Sequence, residues 1–355
     1  MGTKKWIGVA LAIVIGCDSN SIEDATESAE AEILEEVEFR GGSAEFCASV
    51  YTFEHEVAVG DGAVLRVVEK FSPASVLRFP RRALVMLPGT LVTGEMYDMD
   101  VGEPSDFSGL DRAAEAGFFA YAVTYEGYPG SSQPANGGAV TAARSLDQIG
   151  SLIEMIRFGR GVPKVDLLGT SFGSSLSIAL GGSSSPIPTW HIGRIVLEAL
   201  VYKEVTPLFE AVFFSPEVQQ MLEAAPDGYV TTAPQWYGLI LAAADPVAVA
   251  WANENYPNVY ATGPTLAGFD LPVFDAEPGV VPALQFWGDA DPITPFADVE
   301  AFQAEYGGPT ELRILPGAGH APIIAATDER DAFWSETFEF LDYGASFFLA
   351  CEPQE

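Results

Sequence analysis

The chain has 355 residues, 48% of them hydrophobic, which is enough for one large domain with an insertion or for two domains. It carries 17 Lys and Arg residues against 50 Asp and Glu residues, a formal net charge of −33. Such a surface repels nucleic acid and anionic membrane, so we expect no nucleic-acid partner and attribute the acidic excess to solubility.

The first residues predict an export signal rather than a part of the fold. Two lysines precede an apolar run over residues 6–15, which is too short to span a bilayer as a permanent helix. The run is followed by Gly16-Cys17 and resembles the lipobox of bacterial lipoproteins. The resemblance implies removal of residues 1–16, a lipid on Cys17 and anchoring to the cell envelope, on its periplasmic or surface side. An ordinary signal peptide and an uncleaved anchor are the alternatives.

Residues 17–42 predict an acidic, flexible tether, because they are rich in Glu, Asp, Ala and Ser and contain no aromatic residue before Phe39. The N-terminal part of the folded core is predicted over 43–201. Its first elements are two strands, Val50–Val59 and Ala63–Phe71, joined by a glycine-rich hairpin turn.

From Ala83 onward, predicted strands alternate with predicted helices. The strands are Ala83–Leu87, Phe118–Thr124, Val165–Leu168, Arg194–Leu200, Ala283–Trp287 and Glu311–Leu315. The helices are Phe107–Ala116, Val140–Phe158, Phe172–Leu180, one that begins with Thr294 as N-cap and Pro295 as its first residue, and Glu329–Leu341. This alternation predicts an α/β fold with a mostly parallel, doubly wound sheet and helices on both faces.

Residues 202–282 interrupt the alternation, and the core resumes over 283–355. A structureless loop of that length is uncommon, and the interval has its own helix starts at Ser215-Pro216 and Asp245-Pro246, so we predict a helical cap over the mouth of the sheet. Aromatic and apolar cap residues are candidates for lining a pocket, although simple packing on the core is the commoner role for any one of them. These candidates are Phe209, Phe213, Phe214, Met221, Trp236, Tyr237 and Trp251.

The segment from Gly169 to Gly173 reads Gly-Thr-Ser-Phe-Gly and lies between a predicted strand and a predicted helix. A serine on so sharp a turn has a strained backbone, and glycine two residues to either side permits the close approach of strand and helix. The helix N-terminus behind the hydroxyl favours negative charge. Ser171 is therefore the predicted nucleophile.

Two further motifs follow predicted strand ends, and they contain Asp291 and His320. A serine hydroxyl is a poor nucleophile until a base takes its proton; histidine is the usual base, and a carboxylate fixes the histidine tautomer. Along the chain these residues come in the order serine, aspartate, histidine. The other two histidines, His55 and His191, lie in or before strands and are predicted to be structural or at the surface.

From about residue 83 to 341 the chain resembles the α/β-hydrolase superfamily, in particular its capped esterase-like and lipase-like serine hydrolases. The resemblance implies a triad of Ser171, Asp291 and His320, and it favours Asp291 over Asp289, which would be a solvated turn residue. A histidine usually opens the oxyanion segment, and here Pro88 replaces it.

Because backbone N–H groups stabilise the oxyanion, the proline is tolerated. The resemblance implies that Thr90 and Phe172 donate these N–H groups, with Leu91 as the less favoured substitute for Thr90.

The implied reaction is acyl transfer to water, with a small-molecule carboxylic ester as the first choice of substrate, no cofactor, and a monomer as the expected state. Three dispersed histidines without an H-x-x-x-H motif predict no metal site. One alternative is an aminopeptidase of the proline iminopeptidase kind, and another is a lipoprotein that binds ligands without catalysis. In the aminopeptidase, acidic cap residues would bind the substrate amine. These residues are Glu204, Glu210, Glu217 and Glu223.

Three cysteines are an odd number for an exported chain. If Cys17 carries lipid, Cys47 and Cys351 remain near the two ends of the folded domain, where chain termini often lie close together. We therefore predict a disulfide between Cys47 and Cys351, with two free buried thiols as the alternative.

Overall fold

The computed structural model describes residues 49–102, 107–232, 237, 238, 240–256 and 258–342, with strand residues 347 and 348 and the separate residues 28, 30, 31 and 33. The predicted signal peptide and Cys17, Cys47 and Cys351 lie outside the described residues, so the lipid anchor and the disulfide stay predictions. Among the residues described, no helix has the length and hydropathy needed to cross a membrane.

The fold is built around one sheet of eight strands, in the order β1-β2-β5-β4-β6-β7-β10-β11. Strand β2 is antiparallel to β1 and β5, and all other neighbours are parallel. The strands are β1 (Tyr51–Ala58), β2 (Val64–Phe71), β3 (Arg78–Phe79), β4 (Ala83–Leu87), β5 (Phe119–Thr124), β6 (Val165–Thr170), β7 (Ile192–Glu198), β8 (Tyr229–Thr231), β9 (Val259–Ala261), β10 (Ala283–Gly288), β11 (Thr310–Leu315) and β12 (Phe347–Phe348). The predicted α/β fold with a mostly parallel sheet is confirmed.

Helices cover both faces of this sheet. They are α1 (Pro73–Leu77), α2 (Gly109–Glu115), α3 (Ala142–Arg160), α4 (Phe172–Leu180), α5 (Pro207–Phe213), α6 (Pro216–Glu223), α7 (Pro246–Asn255), α8 (Gly263–Leu266), α9 (Phe296–Glu305) and α10 (Thr327–Leu341). Successive residues of β6 point to opposite faces, so Leu167 belongs to the core cluster with α3 and α4, and Leu168 to the cluster with α2 and α10. All residues of β4 and β6 are buried, which agrees with the apolar run of β4 and the mostly apolar sequence of β6. The exception in β6 is Asp166, which forms an ion pair with Arg82 at 2.8 Å.

One predicted helix start is wrong. Helix α9 begins at Phe296 with Pro295 as its N-cap, instead of beginning at Pro295 with Thr294 as N-cap. The backbone N–H of Thr294 instead donates to a carboxylate oxygen of Asp291 at 3.2 Å. Thr294 therefore belongs to the turn that holds Asp291.

The structure describes only a few residues of the segment 17–42, which was predicted to be an acidic tether with some helix around Ala29–Val37. Residues 28, 30, 31 and 33 are helical, and Ile33 is fully buried in the core. Glu30 forms ion pairs with Arg160 at 2.7 Å and Arg81 at 2.9 Å. An apolar contact of Ile33 and two ion pairs of Glu30 thus join these described residues to the domain.

The interval predicted as a cap contains helices α5 to α8 and a two-stranded antiparallel sheet, β8 with β9. The small sheet was not predicted from the sequence. Its strands have three residues each, which is too short to show a period-two pattern of hydrophobic residues.

Candidate active site

Ser171 lies on a strained turn between β6 and α4. Its φ is 52° and its ψ −112°, a conformation that costs a residue with a side chain about 1–3 kcal/mol. A Cβ on Gly169 would lie 2.3 Å from the carbonyl oxygen of Gly173, and a Cβ on Gly173 would lie 1.9 Å from that of Leu87. Gly169 is therefore required for β6 to approach the start of α4, and Gly173 for the start of α4 to pack against β4.

Two other residues with side chains and positive φ follow neighbouring strands. Leu91 (φ 62°) comes after β4, and Ala199 (φ 53°) comes directly after β7. With Ser171 after β6, three adjacent strands of the sheet each end in strained backbone. Strain that clusters in this way is typical of functional sites.

The structure brings Asp291 and His320 into direct contact. His320 Nδ1 lies 2.9 Å from Asp291 Oδ2, and both side chains are buried. The other oxygen of Asp291 accepts backbone N–H groups from Ile293 at 2.7 Å and Thr294 at 3.2 Å. The turn after β10 thus fixes the carboxylate, which leaves one oxygen aimed at the imidazole. His320 Nε2 is then the nitrogen available for chemistry.

The segment after β4 passes beside Ser171. A Cβ on Gly89 would lie 3.4 Å from the Cβ of Ser171, and both Thr90 and Phe172 line the same cavity as Ser171. Leu91 is engaged differently, because its N–H donates to the hydroxyl of Tyr128 at 3.2 Å. Of the two candidates after Gly89, Thr90 is therefore the better placed to offer its N–H to a ligand.

The cavity that contains Ser171 and His320 has a volume of about 1040 Å³, including solvent at its mouth. Among the described residues that line it, no Asp, Glu, Lys or Arg occurs, and His320 is the one titratable side chain. Much of the wall comes from apolar cap residues. They include Phe209, Phe213, Phe214, Val218, Leu222 and Leu271.

Only some of the aromatic and apolar cap candidates line this cavity. Phe209, Phe213 and Phe214 do so, and Trp236 lies outside the described residues. The remaining three candidates do not line the cavity, and two of them have the packing role that was the favoured alternative.

Met221 is exposed. Tyr237 is buried with its hydroxyl 3.0 Å from the carbonyl of Leu91, and Trp251 packs edge-on against Tyr256. Tyr237 and Trp251 thus pack inside the protein, which is the commoner role for such residues.

The four acidic cap residues Glu204, Glu210, Glu217 and Glu223 are all exposed, and none lines the cavity. The two remaining histidines bind glutamates away from it: His55 lies 2.9 Å from Glu69, and His191 contacts Glu154.

Sequence reasoning missed one buried acid at the site. Glu198 is the last residue of β7, is fully buried, and lies in register with Thr170, the residue before Ser171. Its side chain contacts Thr170 and Ile323. A polar residue at the end of an apolar strand was the available signal.

The sequence profile of the Alpha/beta hydrolase family matches residues 84–333, which include every one of these site residues. The chain belongs to the alpha/beta hydrolase family. Among curated proteins, none matches this sequence.

Solved structures of other alpha/beta hydrolases share the fold at low sequence identity. An esterase from Exiguobacterium antarcticum is 18% identical with a TM-score of 0.58, over 81% of this chain and 99% of that chain. A hydrolase from Pseudomonas aeruginosa PA01 is 19% identical with a TM-score of 0.58, over 82% and 98%. A soluble variant of monoglyceride lipase from Saccharomyces cerevisiae, in complex with a substrate analogue, is 13% identical with a TM-score of 0.63, over 82% and 94%.

Proposed function

We propose that this alpha/beta hydrolase is a serine hydrolase that cleaves a carboxylic ester through an acyl-enzyme on Ser171. The observation that carries the proposal is the His320–Asp291 hydrogen bond of 2.9 Å, at the wall of the cavity that also contains Ser171. It supplies the base that a serine hydroxyl needs, held in one tautomer by a carboxylate.

In this mechanism His320 Nε2 takes the proton of Ser171 as its oxygen attacks the ester carbonyl. The N–H groups of Thr90 and Phe172 stabilise the negative charge that develops on the carbonyl oxygen. Protonated His320 then gives its proton to the leaving alcohol, which leaves the acyl group on Ser171. Water, deprotonated by His320, attacks the acyl-enzyme, and His320 returns this proton to the Ser171 oxygen as the carboxylic acid leaves.

The cavity wall favours an uncharged, largely apolar substrate. A charged group would lose its hydration there without gaining an oppositely charged partner, which costs several kcal/mol. The esterase and the monoglyceride lipase among the similar structures agree with an ester as substrate.

The absence of Asp and Glu among the described residues of the cavity wall disfavours an aminopeptidase. Such an enzyme must hold a substrate ammonium group, and the four cap glutamates that were candidates for this are exposed and away from the cavity wall. A binding protein without catalysis is disfavoured because binding alone requires neither the strained turn at Ser171 nor the His320–Asp291 hydrogen bond beside the same cavity.

The lipobox-like sequence before Cys17 supports the further proposal that the enzyme is exported and held at the bacterial cell envelope by a lipid. Mass spectrometry of the mature N-terminus from an expressing cell would test this. A diacylglyceryl group on Cys17 is expected, and a Cys17→Ser variant should be released from the membrane fraction. An unmodified N-terminus upstream of Cys17 would contradict it.

The proposed reaction is tested with a fluorophosphonate probe and matched esters on the purified protein. We expect the probe to label Ser171, and p-nitrophenyl butyrate to be cleaved with a kcat/KM about 100-fold above that of the anionic p-nitrophenyl hemisuccinate, because burial of the carboxylate costs several kcal/mol. Aminoacyl p-nitroanilides serve as the competing substrates. No labelling would overturn the serine mechanism, and a preference for the anilides would favour the aminopeptidase.

A further inference from the structure

Glu198 forms hydrogen bonds both to the turn that carries Ser171 and to the loop that carries His320. Its backbone carbonyl accepts the N–H of Ser171 at 2.9 Å, which holds the nucleophile turn against β7. Its side-chain Oε1 accepts the N–H of Ile323 at 2.6 Å. Ile323 belongs to the short 3-10 helix Pro322–Ile324, which begins two residues after His320.

A second hydrogen bond continues toward the oxyanion segment. The hydroxyl of Thr170 donates to Glu198 Oε2, and Thr170 Oγ1 lies 2.8 Å from the hydroxyl of Tyr97. Tyr97 in turn donates to the carbonyl of Leu87 at 2.8 Å, the last residue of β4 before Pro88. The carboxyl group thus lies where the chain segments of the nucleophile, the base and the oxyanion donors meet.

We infer that Glu198 is a positioning residue for His320. Through its hydrogen bond to Ile323, its carboxyl group fixes the position of the loop that carries His320 relative to the turn that carries Ser171. The inference rests on the proposed role of Ser171 and His320. Glu198 does not line the cavity, so its effect on the reaction passes through His320 rather than through the substrate.

The surroundings of Glu198 accommodate it with or without its proton. Burial raises its pKa to about 7, against the opposing effects of the Thr170 and Ile323 hydrogen bonds and of protonated His320. When ionised, Glu198 accepts from Thr170, and the single hydroxyl hydrogen of Tyr97 is then shared between Thr170 Oγ1 and the Leu87 carbonyl. When protonated, it can donate to Thr170, which then donates to Tyr97, and Tyr97 to the Leu87 carbonyl. The titratable groups that face it are His320, from the loop after β11, and Tyr97, while Asp291 holds His320 from its far side.

The test compares Glu198→Ala with Glu198→Gln. Alanine removes both hydrogen bonds, whereas glutamine keeps an acceptor for Ile323 and a donor for Thr170 but carries no charge. Glu69→Gln is the matched control, because Glu69 is an equally buried carboxylate whose partners are Arg160, His55 and Tyr121, away from the cavity. For each variant we measure the second-order rate of fluorophosphonate labelling from pH 5 to 9, and kcat and KM for the ester that the wild type cleaves.

We expect Glu198→Ala to lower the labelling rate and kcat by about 100-fold, the cost of a base displaced by about 1 Å, with KM within about twofold. Glutamine should restore the rate to within about tenfold of wild type. The pH profile of its labelling rate should no longer contain the contribution of Glu198 itself, whose pKa burial raises to about 7. Glu69→Gln should reduce stability and leave the pH profile of the labelling rate unchanged.

Two results would overturn the inference. One is a folded Glu198→Ala enzyme that labels at the wild-type rate, and the other is a Glu198→Gln enzyme that is as slow as the alanine variant. If the alanine variant does not fold, the pH profile of the glutamine variant decides, and a profile identical to that of the wild type counts against the inference. Absence of labelling in the wild type would instead reject the serine mechanism itself, so the two failures are distinguishable.

Discussion

The carboxylate of Asp289 accepts a hydrogen bond from the backbone N–H of Gly317 at 2.6 Å. Asp289 is exposed, yet this bond joins the turn that carries Asp291 to the start of the loop that carries His320. The two aspartates of this turn therefore have different tasks. Asp291 binds the imidazole of His320, and Asp289 binds the backbone at Gly317, three residues before His320. The sequence-based view of Asp289 as only a solvated turn residue was incomplete.

This division predicts opposite outcomes for two conservative substitutions. Asp291→Asn should lower kcat by roughly 10⁴-fold, because an amide favours the wrong histidine tautomer. Asp289→Asn should keep kcat within a few-fold, since the asparagine oxygen can still accept from Gly317. Steady-state kinetics of both variants on one ester would check this. If Asp289→Asn were the crippled enzyme, the acid would have to be reassigned to Asp289.

The nucleophile is tested with two serines of the same segment. Ser171→Ala should lower kcat by about 10⁴-fold or more, because no acyl-enzyme can form. Ser177→Ala is the matched control: its hydroxyl donates to the carbonyl of Gly173 at 2.8 Å within α4, and it should remain active within about twofold. Circular dichroism and thermal unfolding would show that both variants are folded. Substantial turnover by the alanine variant at 171 would reject Ser171 as nucleophile.

The apolar wall predicts how the enzyme selects its substrate. Phe213 lines the cavity and stacks on Phe209 with ring centroids 4.5 Å apart, so Phe213→Ala removes apolar surface that the substrate would cover. We expect KM for a medium-chain p-nitrophenyl ester to rise about tenfold, a loss on the order of 1–2 kcal/mol, with kcat changed little. Met221→Ala, at an exposed cap residue, should change neither constant. Equal effects of the two substitutions would place substrate binding elsewhere.

Much of the fold could be predicted because its signals are local. The strands around Leu84 and Leu167 are buried on both faces, and their apolar or mostly apolar sequences indicate this without reference to other parts of the chain. The glycines around Ser171 are likewise a local requirement of one turn. Glu198 could not be interpreted in this way, because its partner Ile323 lies 125 residues further along the chain. Nothing near either residue indicates that the fold brings them together.

The buried carboxylate of Glu69 is expected to make the stability of the fold depend on pH in acid. Burial alone would raise the pKa of Glu69, but Arg160 and His55 outweigh burial and lower the pKa to about 2. The pKa in the folded state is thus below the ordinary value of 4.5, so the carboxylate stabilises the fold above about pH 4.5, and this contribution is lost as the pH falls toward 2. A shift of this size corresponds to about 3 kcal/mol.

The free energy of unfolding, measured in urea from pH 6 to pH 2, checks this. Wild type should lose about 3 kcal/mol more than Glu69→Gln over that range, because glutamine has no proton to gain. Glu69→Gln should already be the less stable protein at pH 6, since Arg160 loses a partner at 2.6 Å in the buried network. Glu311→Gln removes a surface ion pair with Arg313 and should follow the wild-type curve. Parallel curves for wild type and Glu69→Gln would mean that Glu69 does not keep its charge in acid.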